Sequence, residues 1–298
     1  MPRIQDEYLN CVAYLYRSRH EAEEAINIGG SAFLVTYLIE ELGIQTGVIY
    51  AVTNKHVIQQ GAKCLRVNTT GGKTDIFALE NWHSSATDDL AVCILPYLNP
   101  LQYAVRSISL SDFITRDIVQ AWGIGPGDEV VLMGRFVNQE GKQKNTPTVR
   151  FGHIAQMPIE PIEYKGQFQE SFLCEIKSIG GFSGSPVFVA PMLLPLHKDG
   201  SEPAQSSFLL GVDWCHIQSF DNAQDEMGRE LPHIRVPVNT GMMGVVPAWK
   251  LRELLESKEV NKQRDMIADR EKNRRNEPNV VLDAVLAAAA ARKPEPKG

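Results

Sequence analysis

The sequence of 298 residues is short of several things at once. It holds five cysteines, an odd number at irregular spacing (Cys11, Cys64, Cys93, Cys174 and Cys215), and no CxxC pair. That removes the usual signals of a zinc site or a dithiol redox motif, and no metal or other cofactor is expected. A free cysteine behaves as a small hydrophobe, so Cys11 and Cys93, each set in an apolar run, are expected in the core. Positive charge is also scarce. Thirty Lys and Arg face 36 Asp and Glu, a formal net charge of −6, which argues against a broad nucleic-acid surface. No apolar run reaches the ~18 residues that a membrane-spanning helix needs. The segment Met1-Pro2-Arg3-Ile4-Gln5-Asp6-Glu7 lacks the apolar stretch of a secretory signal. These shortages together predict a soluble cytoplasmic protein with neither a membrane nor a nucleic acid as partner. No internal repeat of 20 to 50 residues is present.

What remains is ordinary globular material. With 43% hydrophobic and 22% charged residues, the chain can bury a core, and whole-chain disorder, collagen and coiled coil are excluded. Short runs rich in Val, Ile, Leu, Phe and Tyr, bounded by Gly, Pro, Asn or Asp, predict strands. They fall at Val12–Tyr16, Ser31–Ile39, Val48–Thr53, Leu90–Leu95, Glu129–Met133, Thr148–Ile154, Phe172–Ile176, Pro186–Val189 and Phe208–Trp214. No regular alternation with long helices appears, so the fold class is all-β, as barrels or sandwiches, rather than a parallel α/β sheet. Helices are predicted at Ser111–Gln120 and, with Pro247 in the first turn, at Pro247–Glu256. Residues 258–298 carry 10 basic and 7 acidic side chains, so this tail is +3 and the rest is −9. The tail reads as a charged extension, with a short Ala-rich helix at Val280–Ala291 and disorder at Pro294–Lys297.

Three features carry chemistry. Gly181-Phe182-Ser183-Gly184-Ser185-Pro186 sets a serine between glycines, a tight turn that exposes the hydroxyl and lets backbone N–H groups converge on a developing oxyanion. A serine hydroxyl needs a base beside it. His56 follows the strand-like run Tyr50-Ala51-Val52-Thr53 directly after a polar break, at the end of a rigid element. The base needs an orienting acid, and Asp89 adjoins the apolar run Leu90-Ala91-Val92, with Asp88 as the alternative. In chain order these are His, Asp, Ser, at spacings of 33 and 94 residues.

At these positions the sequence resembles the trypsin/chymotrypsin-like serine peptidases, in particular bacterial branches such as the glutamyl endopeptidases and the HtrA peptidase domain. Gly29-Gly30-Ser31-Ala32-Phe33-Leu34-Val35 is similar to their strand before the catalytic His. Thr53-Asn54-Lys55-His56-Val57 is similar to their His box, Asp89-Leu90-Ala91-Val92 to their Asp box, and the Gly181–Pro186 turn to their Ser box. Asn239-Thr240-Gly241 and Val246-Pro247-Ala248 resemble the end of their second barrel. The resemblance spans roughly residues 8–257. It implies two six-stranded antiparallel β-barrels, 1–110 and 111–257, a C-terminal helix and the charged 258–298 tail. It further implies a His56–Asp89–Ser183 triad that hydrolyses protein or peptide substrates through an acyl-enzyme. The N–H groups of Gly181 and Ser183 would form the oxyanion hole. The chain departs from the family in having no Cys beside His56 or Ser183, too short a stretch after residue 257 for a PDZ domain, and Ser185 where animal members carry Gly.

The same resemblance maps Lys177 near the base of the specificity pocket, and Gly211–His216 to one pocket wall. A cation at Lys177 or His216 favours an acidic substrate side chain, and the Asp213 anion favours a basic one. The signs conflict, and Lys177 has Asp213 and Glu175 as available partners, so the preference stays open. Two rivals stand beside this reading. One is an α/β-hydrolase using Ser183, Asp213 and His233, which requires a helix where Pro186–Val189 reads as a strand. The other is a catalytically silent peptidase-fold binding module. A latent peptidase gated by a regulatory protein partner or by the tail is a further expectation.

Overall fold

The computed structural model describes residues 6–27, 29–41, 44–136, 139, 141–189 and 207–266. It divides into two units, Met1–Glu256 and Ser257–Gly298. In the second, residues 258–266 are helical; the helix predicted at Val280–Ala291 and the disorder predicted at Pro294–Lys297 lie outside the described residues.

The first unit is all-β in its framework. Its N-terminal sheet contains β1 (Val12–Tyr16), β2 (Gly30–Glu41), β3 (Ile44–Thr53), β4 (Cys64–Asn68), β5 (Thr74–Ala78), β6 (His83–Ser84), β7 (Ala91–Ile94) and β8 (Ile108–Ser109). Their spatial order is β5-β4-β1-β2-β3-β7-β6, with β8 added parallel to β2. Where six strands in a barrel were expected, the sheet has eight, and among the described residues its β5 and β6 edges do not pair. Side chains close the gap instead. Phe77 from β5 and Trp82 beside β6 pack on one cluster with Leu15, Leu34, Ala51, Leu65, Leu79 and Leu95. β6 is only two residues long, too short for a continuing ladder, while an apolar cluster needs no register.

The second half is a closed six-stranded barrel. β9 (Glu129–Gly134), β10 (Thr148–Gln156), β13 (Phe172–Glu175), β14 (Pro186–Val189), β15 (Phe208–Gln224) and β16 (Glu230–Pro247) close in the order β10-β13-β16-β15-β14-β9. β11 (Ile162–Tyr164) and β12 (Gln167–Gln169) form a separate hairpin. In β10 burial alternates, with Gly152 and Ile154 inward and Phe151, His153 and Ala155 outward, the period of two that a one-sided strand requires. Gly152 is glycine by necessity, since a Cβ there would meet Glu175 O at 2.1 Å.

Several elements differ from what pattern alone predicts. β4 and β5 carry Arg66 and Asp75, which mask their apolar alternation. Arg66 is nonetheless fully buried and donates to Tyr16 Oη at 3.3 Å, Gly141 O at 3.1 Å and Lys142 O at 2.5 Å. The helix predicted at Ser111–Gln120 is two pieces, a 3-10 turn over Leu110–Asp112 and a helix over Arg116–Trp122. Between them Phe113 and Ile114 are drawn into the core, and the Ile114 N–H donates to Leu209 O, so the chain must extend there. Thr115 then caps the new helix start. β15 runs ten residues past Trp214, because with β16 it leaves the barrel as an exposed two-stranded ribbon whose polar residues carry no burial signal.

Candidate active site

β3 is held between β2 and β7, which makes its C-terminus a rigid point. Asn54 follows in an extended conformation and starts the short helix Lys55–Gln59, placing His56 in its first turn. Asp89 lies just before β7 and grips this turn twice. Its Oδ1 accepts the His56 backbone N–H at 2.9 Å, and its Oδ2 meets His56 Nδ1 at 2.6 Å. A carboxylate only accepts, so the proton sits on Nδ1, and Nε2 is left as a lone-pair base. The Asn54 side chain donates to Asp89 O at 2.9 Å, and the Asp89 N–H donates to Gln169 Oε1 at 2.8 Å. Asp88 does not reach the imidazole. It accepts from Ser85, Thr87 and Gln169, as a turn aspartate does.

The Ser183 turn is built by glycines. Gly181 and Gly184 have φ of 95° and 86°, a region that other residues avoid. The backbone closes with Ser185 N–H donating to Phe182 O at 2.8 Å. Among the described residues, the N–H groups of Gly181 and Ser183 donate to no protein acceptor, and Ser183 Oγ and His56 Nε2 make no hydrogen bond. The turn lies against the residues that flank His56. A Cβ on Gly30 would meet Val57 Cγ1 at 2.8 Å and Ser183 O at 3.1 Å, and one on Gly184 would meet Thr53 Oγ1 at 2.3 Å.

Ser31, which sequence reasoning did not single out, ties the two halves together. This fully buried residue donates its N–H to Ser183 O and its hydroxyl to Gly181 O, both at 2.9 Å. Its hydroxyl accepts the Arg135 N–H at 2.9 Å, and its carbonyl accepts Thr53 Oγ1 at 2.8 Å. The one sequence signal was the glycine pair before it, which marks a close backbone approach. Gln169 and Asn54 carried no signal of their own.

The three residues expected to set specificity fall in different places. Lys177 is exposed and, among the described residues, forms no ion pair with Asp213 or Glu175. His216 is half-buried beside Gln218 at 3.0 Å, and burial, then the charge of Lys165, lowers its pKa and disfavours the cation. Asp213 is 1% exposed, and its Oδ2 accepts the Ser178 hydroxyl at 2.7 Å. It was expected on the strand that forms one pocket wall; it lies on β15 with its side chain in the interior, out of reach of solvent. His233, the base of the α/β-hydrolase alternative, lies on the exposed β15–β16 ribbon, and Pro186–Val189 is a strand, so that arrangement does not form.

All five cysteines are free. Cys11 and Cys93 are in the core as expected, and burial pushes both thiols up to about 12. Cys174 and Cys215 are raised in the same way, and thiols held protonated this way are poor nucleophiles. Among the described residues no group of His, Cys, Asp and Glu is arranged to hold a metal ion. No helix among them is long and apolar enough to cross a membrane. A cavity of about 270 Å³ between Tyr8, Arg106, Phe188 and Phe208 shares no residue with the His56–Asp89–Ser183 cluster.

An N-terminal sheet carrying His and Asp, a closed six-stranded barrel carrying a glycine-flanked Ser, and their meeting at one point make this a trypsin-like peptidase fold. No family model matches the chain, and no curated protein matches it significantly. Among solved structures it is similar to the MamO protease domain from Magnetospirillum magneticum in its apo form, at 16% identity and a TM-score of 0.49, over 83% of this chain and 97% of that one. It is similar to an inactive mutant form of Rv3671c from M. tuberculosis at 14% identity and a TM-score of 0.43, over 83% and 85%. Against Deg5 the values are 15% and 0.41, over 70% and 81%.

Proposed function

We propose that the protein is a serine endopeptidase that hydrolyses protein or peptide substrates through His56, Asp89 and Ser183. The observation that carries this is the double grip of Asp89 on His56, through the backbone N–H and through Nδ1, which leaves Nε2 as the free base. Ser183 attacks the scissile carbonyl while His56 Nε2 takes the hydroxyl proton, and Asp89 stabilises the imidazolium that forms. The oxyanion is received by the N–H groups of Gly181 and Ser183. His56 then protonates the leaving amine, and a water molecule, activated by the same imidazole, hydrolyses the acyl-enzyme. The preference for the residue before the scissile bond is left open, since Asp213 is enclosed and His216 is disfavoured as a cation.

A second reading, the catalytically silent binding module, draws on a specific feature: Ser183 Oγ has no hydrogen bond to His56. Catalytic hydrogen bonds often tighten only once substrate is bound, so the feature is compatible with a resting peptidase that a partner or trigger activates. A fluorophosphonate probe separates the readings. Covalent labelling of the wild type but not of Ser183→Ala supports the peptidase. A folded sample that is neither labelled nor able to cleave a peptide library supports the binding module.

A further inference from the structure

Gln169 is used by none of the steps above, yet its side chain meets both aspartates of the Asp88–Asp89 pair. It ends β12, where Gln167 and Phe168 are exposed while Gln169 itself is 3% exposed. Its Oε1 accepts the Asp89 N–H and its Nε2 donates to Asp88 Oδ1, both at 2.8 Å, and Nε2 also donates to Glu170 O at 3.1 Å. The partners dictate which way the amide faces, since a backbone N–H only donates and a carboxylate only accepts. Asp89 thus has three restraints: Gln169 holds its N–H, Asn54 its carbonyl and His56 its carboxylate. The first of these comes from the other half of the unit.

Gln169 also opens a run of three residues fastened to three different places. Glu170 accepts from Arg116 at 2.6 Å and from Trp249 Nε1 at 3.0 Å, on the separate helices Arg116–Trp122 and Ala248–Leu255. Ser171 accepts the Trp214 Nε1–H at 2.8 Å, and the Tyr164 ring of β11 packs edge-on against Trp214 at 6.1 Å. Trp214 adjoins Asp213, whose backbone is bonded to Gly184 and Ser185, both at 2.9 Å. One short segment therefore meets the acid behind His56 at one end and the strand bonded to the Ser183 turn at the other.

We infer that Gln169 is a positioning residue of the proposed catalytic centre: it fixes the Asp88–Asp89 peptide from the barrel half and so sets the Asp89 carboxylate against His56 Nδ1. The inference rests on the peptidase reading. Gln169 touches no reacting atom and acts through Asp89. Without it Asp89 keeps two anchors about which it can turn, and the imidazole loses the fixed acceptor that keeps its proton on Nδ1. A carboxylate at position 169 would still accept the Asp89 N–H, but it would set a second oxygen against Asp88 Oδ1, two like charges in an interior that screens them poorly.

The test is the rate of fluorophosphonate labelling of Ser183 in the full chain, read beside nitrogen NMR of the His56 ring at pH 8. Gln169→Glu should label about 10- to 100-fold more slowly, and its ring should move from the Nδ1-protonated tautomer toward a mixture of the two. Combining Asp88→Asn with Gln169→Glu puts a donor opposite an acceptor again, and both readings should return toward wild type. Should Gln169→Glu fail to fold, Gln169→Met removes the two hydrogen bonds without adding charge. A merely structural role predicts slower labelling in step with a lowered unfolding midpoint, an unmoved tautomer and no recovery in the double variant. That result overturns the inference, as does a wild-type labelling rate in Gln169→Met. The NMR reading needs no catalysis. A tautomer that follows residue 169 in a chain that is never labelled refutes the peptidase reading alone, and a tautomer indifferent to residue 169 refutes the inference whatever the labelling shows.

Discussion

The two halves of the proposed catalytic cluster are held in unlike ways. In the N-terminal half, His56 and Asp89 fix one another over 2.6 and 2.9 Å; of their neighbouring partners, Asn54 directly follows β3, and Gln169 comes from the β11–β12 hairpin. In the barrel, the Ser183 turn closes on itself through Phe182 and Ser185, is tied to β15 at Gly184 and Ser185, and has the carbonyls of Gly181 and Ser183 received by Ser31, a residue of the other half. His56 and Asp89 are thus fixed chiefly within the first half, while the Ser183 turn is fixed by its own barrel and by docking together. Loss of docking would free the Gly181 and Ser183 carbonyls and leave the His–Asp pair intact.

Breaking the self-sufficient side should have the largest effect. Asp89→Asn keeps the shape but supplies an amide where Nδ1–H needs an acceptor, and labelling or peptide cleavage should fall about 10⁴-fold. Breaking the docked side should cost less. Ser31→Ala removes the hydroxyl between Gly181 O and Arg135 N–H, and kcat should fall by about 10- to 100-fold with little change in KM, because in the proposed mechanism the displaced group is an oxyanion donor rather than a substrate contact. An equal fall in a variant whose unfolding midpoint has also collapsed would point to general misfolding instead.

Stability against pH sharpens the contrast from below. Asp213 has a folded pKa of about 7 against 3.8 ordinarily, so between those values the folded state keeps a proton that the unfolded state has lost. Its contribution to stability therefore declines as pH rises from about 4 to about 7 and is constant beyond. Asp213→Asn should gain stability relative to wild type over that window, which denaturant melts at pH 4.5 and 7.5 would register. The smallest effect is expected from thiol chemistry. The cysteines are free and four are buried with raised pKa values, so reductant should leave labelling unchanged.

The sequence made the cluster legible because its parts are local. A glycine-flanked serine, a histidine after a strand and an aspartate before one are each visible within six residues, and their order joined them. Strands with uniform burial, such as Val12–Tyr16 and Pro186–Val189, were read to the residue. What stayed hidden depended on partners remote in the chain. Ser31 meets Gly181 across 150 residues, and Gln169 meets Asp89 across 80. β4 carried no clear strand pattern because the carbonyls that receive its Arg66 lie 75 and 76 residues away. The open first sheet was missed because closure by Phe77 and Trp82 is a matter of side-chain packing, for which residue counts give no signal.

Arg135 carries the comparison one step further. It follows β9 of the barrel, yet its side chain is fully buried, with the guanidinium 4.3 Å from the centre of the Tyr16 ring and donating to Leu15 O and Asn27 O. A cation in that position has no hydration to fall back on, and neither half on its own supplies both the charge and its cradle. The halves are thus thermodynamically one object. Residues up to Glu256 should melt in a single cooperative step, and a chain severed between the sheet and the barrel should recover its structure only when the two pieces are mixed.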